Sequence, residues 1–132
     1  FEHKKISKNK IIDMEIKKTG KLFSFCCMAP AIVKNKSLKE INSLEKIGSD
    51  IGLLFQIADD LIDYQGLSKI AGKKTKKDEK KGKATLISLL GYKNVIKYND
   101  KIKSKIINNL KKHGPGSKNL SKTLEYILTR NK

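Results

Sequence analysis

A chain of 132 residues is sized for one domain with one modest core. Its 30 Lys plus Arg against 13 Asp plus Glu give a net charge of +17, which by itself invites a nucleic-acid or anionic-membrane reading. The composition argues against both. Arg130 is the single arginine, aromatics are 6% and Trp is absent, so the bidentate forks and stacking rings that read nucleic acid are scarce. No apolar run approaches the length of a membrane span, and FEHKKISKNK has no signal-peptide core. A generic basic surface on a cytoplasmic protein is the expectation. The chain begins with Phe, which points to a start inside a longer protein.

Helical periodicity dominates, and strand alternation is nowhere convincing. Residues 11–33 read as one helix with Ile12, Ile16, Leu22 and Phe23 on its apolar face, and Pro30 is expected to kink or stop it. Cys26 and Cys27 lie in this run. Neighbouring cysteines make no unstrained disulfide, no CxxC pair and no zinc knuckle, so buried thiols in a reducing compartment are expected. Ser37 and Glu40 fit a capping box opening a second helix, which should run to about Tyr64 with Gly66 as its stop. Gly48 and Gly52 share one face of it and allow a neighbouring backbone to come close. Residues 67–83 read as a Lys-rich loop. A short helix over 84–90, a longer one over about 93–112, a break at Gly114-Pro115-Gly116 and a last helix with Leu120, Leu124, Ile127 and Leu128 complete the pass.

The chemistry concentrates in FQIADDLID, residues 55–63. At about 100° per residue, Gln56, Asp59, Asp60 and Asp63 fall in one sector, and Ile47, Ile51, Leu54, Ala58, Leu61 and Ile62 fall opposite. The like charges repel at i,i+3 and i,i+4, and water or a cation must offset them. Carboxylates without His or Cys suit Mg²⁺ before Zn²⁺, and Mg²⁺ so held commonly completes its shell with water and phosphate. In the following loop, Lys73 and Lys83 each stand beside a glycine, where backbone can approach a ligand and a point charge can meet phosphate. The spacing is not that of a P-loop. Taken alone, the acids can be a solvated face and the lysines a solvated segment.

FQIADDLIDYQG followed by GKKTKKDEKKGKAT resembles the second aspartate-rich motif and lysine loop of the trans-isoprenyl diphosphate synthases. The KKTG of residues 17–20 is similar to that family's Lys-Thr-Gly helix, and the terminal YILTRNK to the end of bacterial members that make farnesyl diphosphate. The resemblance covers essentially the whole chain. It implies an all-α fold, the C-terminal half of the isoprenoid synthase bundle over residues 1–132, and a prenyltransferase. Such an enzyme condenses isopentenyl diphosphate with dimethylallyl or geranyl diphosphate to farnesyl or geranylgeranyl diphosphate. It further implies Mg²⁺ on Asp59, Asp60 and Asp63, and diphosphate contacts from Lys18, Lys73 and Lys83. Thr19 and Gln56 would line the site of the allylic cation, and Phe55 would lie near the isopentenyl chain. Arg130 and Lys132 would belong to a basic tail that closes the site. The full-length protein would be a homodimer, with neither nucleic acid nor a transmembrane segment. No protein nucleophile or His base is required, and His3 and His113 read as exposed.

Two departures stand out. Lys76 occupies a position where the family often has Gly. The first aspartate-rich motif, DDxxD, is missing from these 132 residues, as are the lysine, arginine and histidine expected upstream of it to bind isopentenyl diphosphate. The alternative reading is therefore an inactive truncated fragment or a non-catalytic partner module. A half-bundle should also leave the apolar stripe of the 47–62 helix without partners.

Overall fold

The structure, a computed structural model, describes residues 6–71 and 85–129, with side chains over 6–66 and 85–129. Lys73, Lys76, Lys83, Arg130 and Lys132, and with them most of the Lys-rich segment and the basic tail, lie outside the described residues. The described elements are helical throughout. Helix α1 spans Lys8–Glu15, a π-helical turn Ile16–Gly20, α2 Lys21–Val33, α3 Leu38–Ala71, α4 Leu86–Leu90, α5 Tyr92–Lys111 and α6 Lys118–Thr129, with a 3₁₀ turn at Pro115–Ser117. None of these helices is long and apolar enough to cross a membrane.

The first predicted helix is really α1, the π turn and α2 in continuous succession. Pro30 does not stop it. The ring lies one turn from the end, so it removes a single backbone donor, and α2 continues to Val33. The stop comes at Asn35, which turns left-handed at φ 50°. The expected capping box opens α3. Glu40 N donates to Ser37 Oγ at 3.3 Å, while Ser37 N and Oγ donate to Glu40 Oε2 at 3.2 and 2.8 Å. Ser37 thereby holds the Glu40 carboxyl below its ordinary pKa. Gly66 does not end α3, which continues to Ala71, so residues 67–71 are helix and not loop. A glycine inside a helix costs propensity but breaks no backbone hydrogen bond. Thr85 caps α4 through a reciprocal box with Ser88, and Gly91, at φ 80°, turns the chain into α5.

Helix α3 is the axis of the structure, flanked by α2 on one side and α5 and α6 on another. Ile47, Ile51, Leu54 and Ala58 are buried as their spacing predicts. Leu53 and Ile57 are buried as well, because α3 is covered on more than one side. Ile11, Leu86, Val95, Ile106, Leu110 and Leu124 close the core around them. The α3 stripe is therefore covered by the chain's own helices, contrary to the half-bundle expectation. Half of the large apolar side chains left in solvent lie on and around α2: Leu22, Phe25, Ile32, Val33 and Leu38.

Two further expectations are corrected. Cys26 is exposed and only Cys27 is partly covered, because Ser24 and Ala31, not the cysteines, occupy the face of α2 turned to the core. Burial pushes the Cys27 thiol pKa upward, with Cys26 adding to the shift. His113 is half-buried, with a ring nitrogen 3.2 Å from Ser43 Oγ, so it ties the end of α5 to α3. That contact spans 70 positions of sequence, so the local context of His113 did not reveal it.

Candidate functional site

The site begins with two helices brought into backbone contact. A side chain on Gly48 would collide with the Phe23 carbonyl, and one on Gly52 would stand 2.6 Å from Gly20 Cα. Only glycine permits this approach. Ser24 Oγ donates to the Glu45 carbonyl at 3.0 Å and fixes the register at the same level. The Phe23 and Phe55 rings pack with centroids 5.6 Å apart, one turn further along α3.

With that register set, the π turn carries its polar residues to the acidic end of α3. Its i→i+5 bonding adds a residue to the helical turn. Lys18 Nζ donates to Gln56 Oε1 at 3.1 Å across 38 positions of sequence. Thr19 sits beside it, half-buried. One turn beyond Gln56 come Asp59 and Asp60, both half-buried, and then Asp63, exposed to solvent. The structure thus brings together Lys18, Gln56 and the α3 turns that carry the acids, and it places Phe55 beside Phe23 on an adjacent face.

Among the described residues, no three Asp, Glu, His or Cys side chains converge as a metal-holding group. The three aspartates follow one another along α3 instead of surrounding one point. The donor set still fits a hard cation that takes one or two carboxylates and completes its shell with water and phosphate oxygens. It does not fit a closed structural zinc site, which needs four converging protein ligands.

Glu15 was passed over by the sequence reading. It lies in the last turn of α1, three residues before Lys18, and is only 8% exposed. Its Oε2 has no hydrogen-bond partner among the described residues. The available signal was its i,i+4 relation to the buried Ile11, which puts it on the core-facing side of α1. Lys17, by contrast, points outward and pairs with Asp13 at 2.8 Å on the surface.

Comparison with known proteins identifies the family. The Polyprenyl synthetase family model matches residues 1–127. The chain is 35% identical to a farnesyl diphosphate synthase of Micrococcus luteus over 99% of its own length and 45% of the relative's. It is 34% identical to the Bacillus subtilis farnesyl diphosphate synthase over 67% of the chain and 30% of that protein. An FPP/GFPP synthase of Zymomonas mobilis superposes with a TM-score of 0.77 at 32% identity, covering 96% of this chain and 41% of that one. The chain thus spans less than half the length of these relatives. With its helices, the KKTG turn and FQIADDLID all present in one matching stretch, the chain belongs to the polyprenyl synthetase family.

Proposed function

We propose that this chain is the C-terminal portion of a trans-isoprenyl diphosphate synthase. Its role in such an enzyme is to hold the diphosphate of an allylic substrate while isopentenyl diphosphate attacks it. The observation that carries the reading is the hydrogen bond from Lys18 to Gln56. It joins the KKTG turn to the stretch of α3 on which Asp59 and Asp60 follow one turn later, which supports a shared site for the cationic donor and the carboxylates.

Asp59, Asp60 and Asp63 are the residues that would hold Mg²⁺, which when bound neutralises negative charge on the departing diphosphate. Lys18 supplies a donor to diphosphate oxygens, as Lys73 and Lys83 would from the segment that follows. Its bond to Gln56 keeps the ammonium oriented in advance, so less ordering is left for the reaction itself. The Gln56 carbonyl and the Thr19 hydroxyl present oxygen dipoles to positive charge developing on the allylic carbon. Phe55, braced by Phe23, gives the isoprenoid chain an apolar wall. The bond from C1 to diphosphate breaks, the homoallylic double bond attacks C1, and released pyrophosphate takes the proton. No side chain of this half is needed as nucleophile or base.

The substrates, the preference for Mg²⁺, a dimeric state and the basic tail of Arg130 and Lys132 belong to this proposal. The missing first aspartate-rich motif would come from the other half of the enzyme. In a polypeptide that supplies that half, Asp59→Ala should lower kcat more than about a hundredfold, as loss of one strong electrostatic contact does. Unchanged turnover at saturating Mg²⁺ would overturn the assignment. The second reading, a non-catalytic helical module, draws support from a core closed by the chain's own helices. A 132-residue chain that melts cooperatively yet binds no diphosphate analogue would favour it.

A further inference from the structure

Helix α2 carries no charged residue from Leu22 to Val33. Ser24 and Ala31 turn to the core, and the glycine contact with α3 lies on that side. On the opposite side Leu22, Phe25, Cys26, Ala29 and Val33 recur at helical spacing and form one stripe. Leu22, Phe25 and Val33 are each more than half exposed, and Cys26 is exposed between them. A helix on the surface of a domain normally turns polar residues outward, and one that is apolar all round is buried. At 13 residues α2 is too short to span a bilayer. It also lacks the lysine-rich polar face that a helix lying in a membrane surface keeps beside its apolar one. A protein surface is therefore what covers it.

The chain spans less than half the length of its relatives, so more than half of such an enzyme has no counterpart in it. The α3 stripe, where that remainder was expected to pack, is already covered from within. We infer that the outward face of α2 is the seam on which the half carrying the first aspartate-rich motif docks, an inference that rests on the functional reading above. A second copy of this chain fits the face less well. Two α2 helices packed antiparallel set Lys21 against Lys34, and packed parallel they set each lysine against its own copy, so like charges meet either way. The docking surface is instead an apolar helical face with acidic or neutral residues where it passes Lys21 and Lys34. Helix α2 begins where the KKTG turn ends, so a partner seated on it arrives beside the turn that holds Lys18 on Gln56.

The test co-expresses the 132-residue chain with the unmatched part of the Micrococcus luteus farnesyl diphosphate synthase, so that neither has to fold alone. The two should purify together. Cys26, in the middle of the stripe, should then react with iodoacetamide at least about tenfold more slowly than in the isolated chain. Cys27 is partly covered and burial raises its thiol pKa, so tandem mass spectrometry follows Cys26 as the faster site. Phe25→Lys with Val33→Lys should abolish co-purification, whereas Tyr126→Lys, comparably exposed on α6, should not. No co-purification, an unchanged Cys26 rate, or equal loss in both variants would overturn the inference. Should the double variant not fold, protection of Cys26 in the wild-type pair decides alone. Prenyl transfer by the pair is read separately: an inactive pair with Cys26 protected counts against the functional reading and supports the seam.

Discussion

Lys17 and Lys18 are neighbours in sequence with the same charge, yet the structure separates them. Lys17 pairs with Asp13 in solvent, whereas Lys18 crosses to Gln56. Neutralising each to Met removes equal charge. Exposed ion pairs contribute little, so Lys17→Met should alter diphosphate-analogue binding only by a screened, salt-suppressed amount. Lys18→Met should remove a charge-assisted contact of roughly 1.5–3 kcal/mol. Calorimetric titration of both variants checks this, and equal losses would reduce the KKTG turn to a basic surface. Glu40 gives a pH prediction. The Ser37 hydroxyl lowers its pKa below the ordinary 4.5, so the stabilisation is present above the unfolded value and is lost as pH falls through the folded one. Thermal melts below about pH 5 should therefore drop more steeply for the wild type than for Glu40→Gln.

At the scale of elements, the contact between α2 and α3 depends on missing side chains. Gly48→Ala would drive a methyl group into the backbone at Phe23, where nothing flexible can yield. A loss of about 1–3 kcal/mol or more is expected, as for other overpacked sites. Gly66→Ala meets open space inside α3 and should instead stabilise by roughly 0.5–1 kcal/mol. Chemical denaturation of both variants tests the pair. Matching destabilisation would mean that α2 does not pack on α3 through its glycines. The same glycines show how far the sequence could be read here. Their spacing announced a close approach, but not that Gly20 and Phe23 would be what approaches. The end of α3 was misread because Gly66 carries a helix-breaking propensity that an already propagating helix overrides.

For the whole molecule, the closed core predicts a cooperative melt and the uncovered α2 surface predicts self-association. Phe25, at 59% exposure, and Val33, at 79%, lie in an uncharged stretch of twelve residues from Leu22 to Val33. Contiguous exposed apolar surface of this kind promotes association. Phe25→Lys with Val33→Lys should lower light scattering on concentration and leave the unfolding free energy within about 1 kcal/mol of wild type, as exposed substitutions usually do. Scattering that persists unchanged would place the sticky surface elsewhere. The clustering of the aspartates on one helix face, the Ser37–Glu40 capping box and the all-helical class were legible in the sequence. Each depends on periodicity or on residues a few positions apart, and local geometry is periodic. Which face of α2 remained in solvent, the pairing of Lys18 with Gln56 and the anchoring of His113 on Ser43 were decided by the tertiary structure alone. Those contacts join residues tens of positions apart, and their geometry exists only once α3 has been packed between its neighbours.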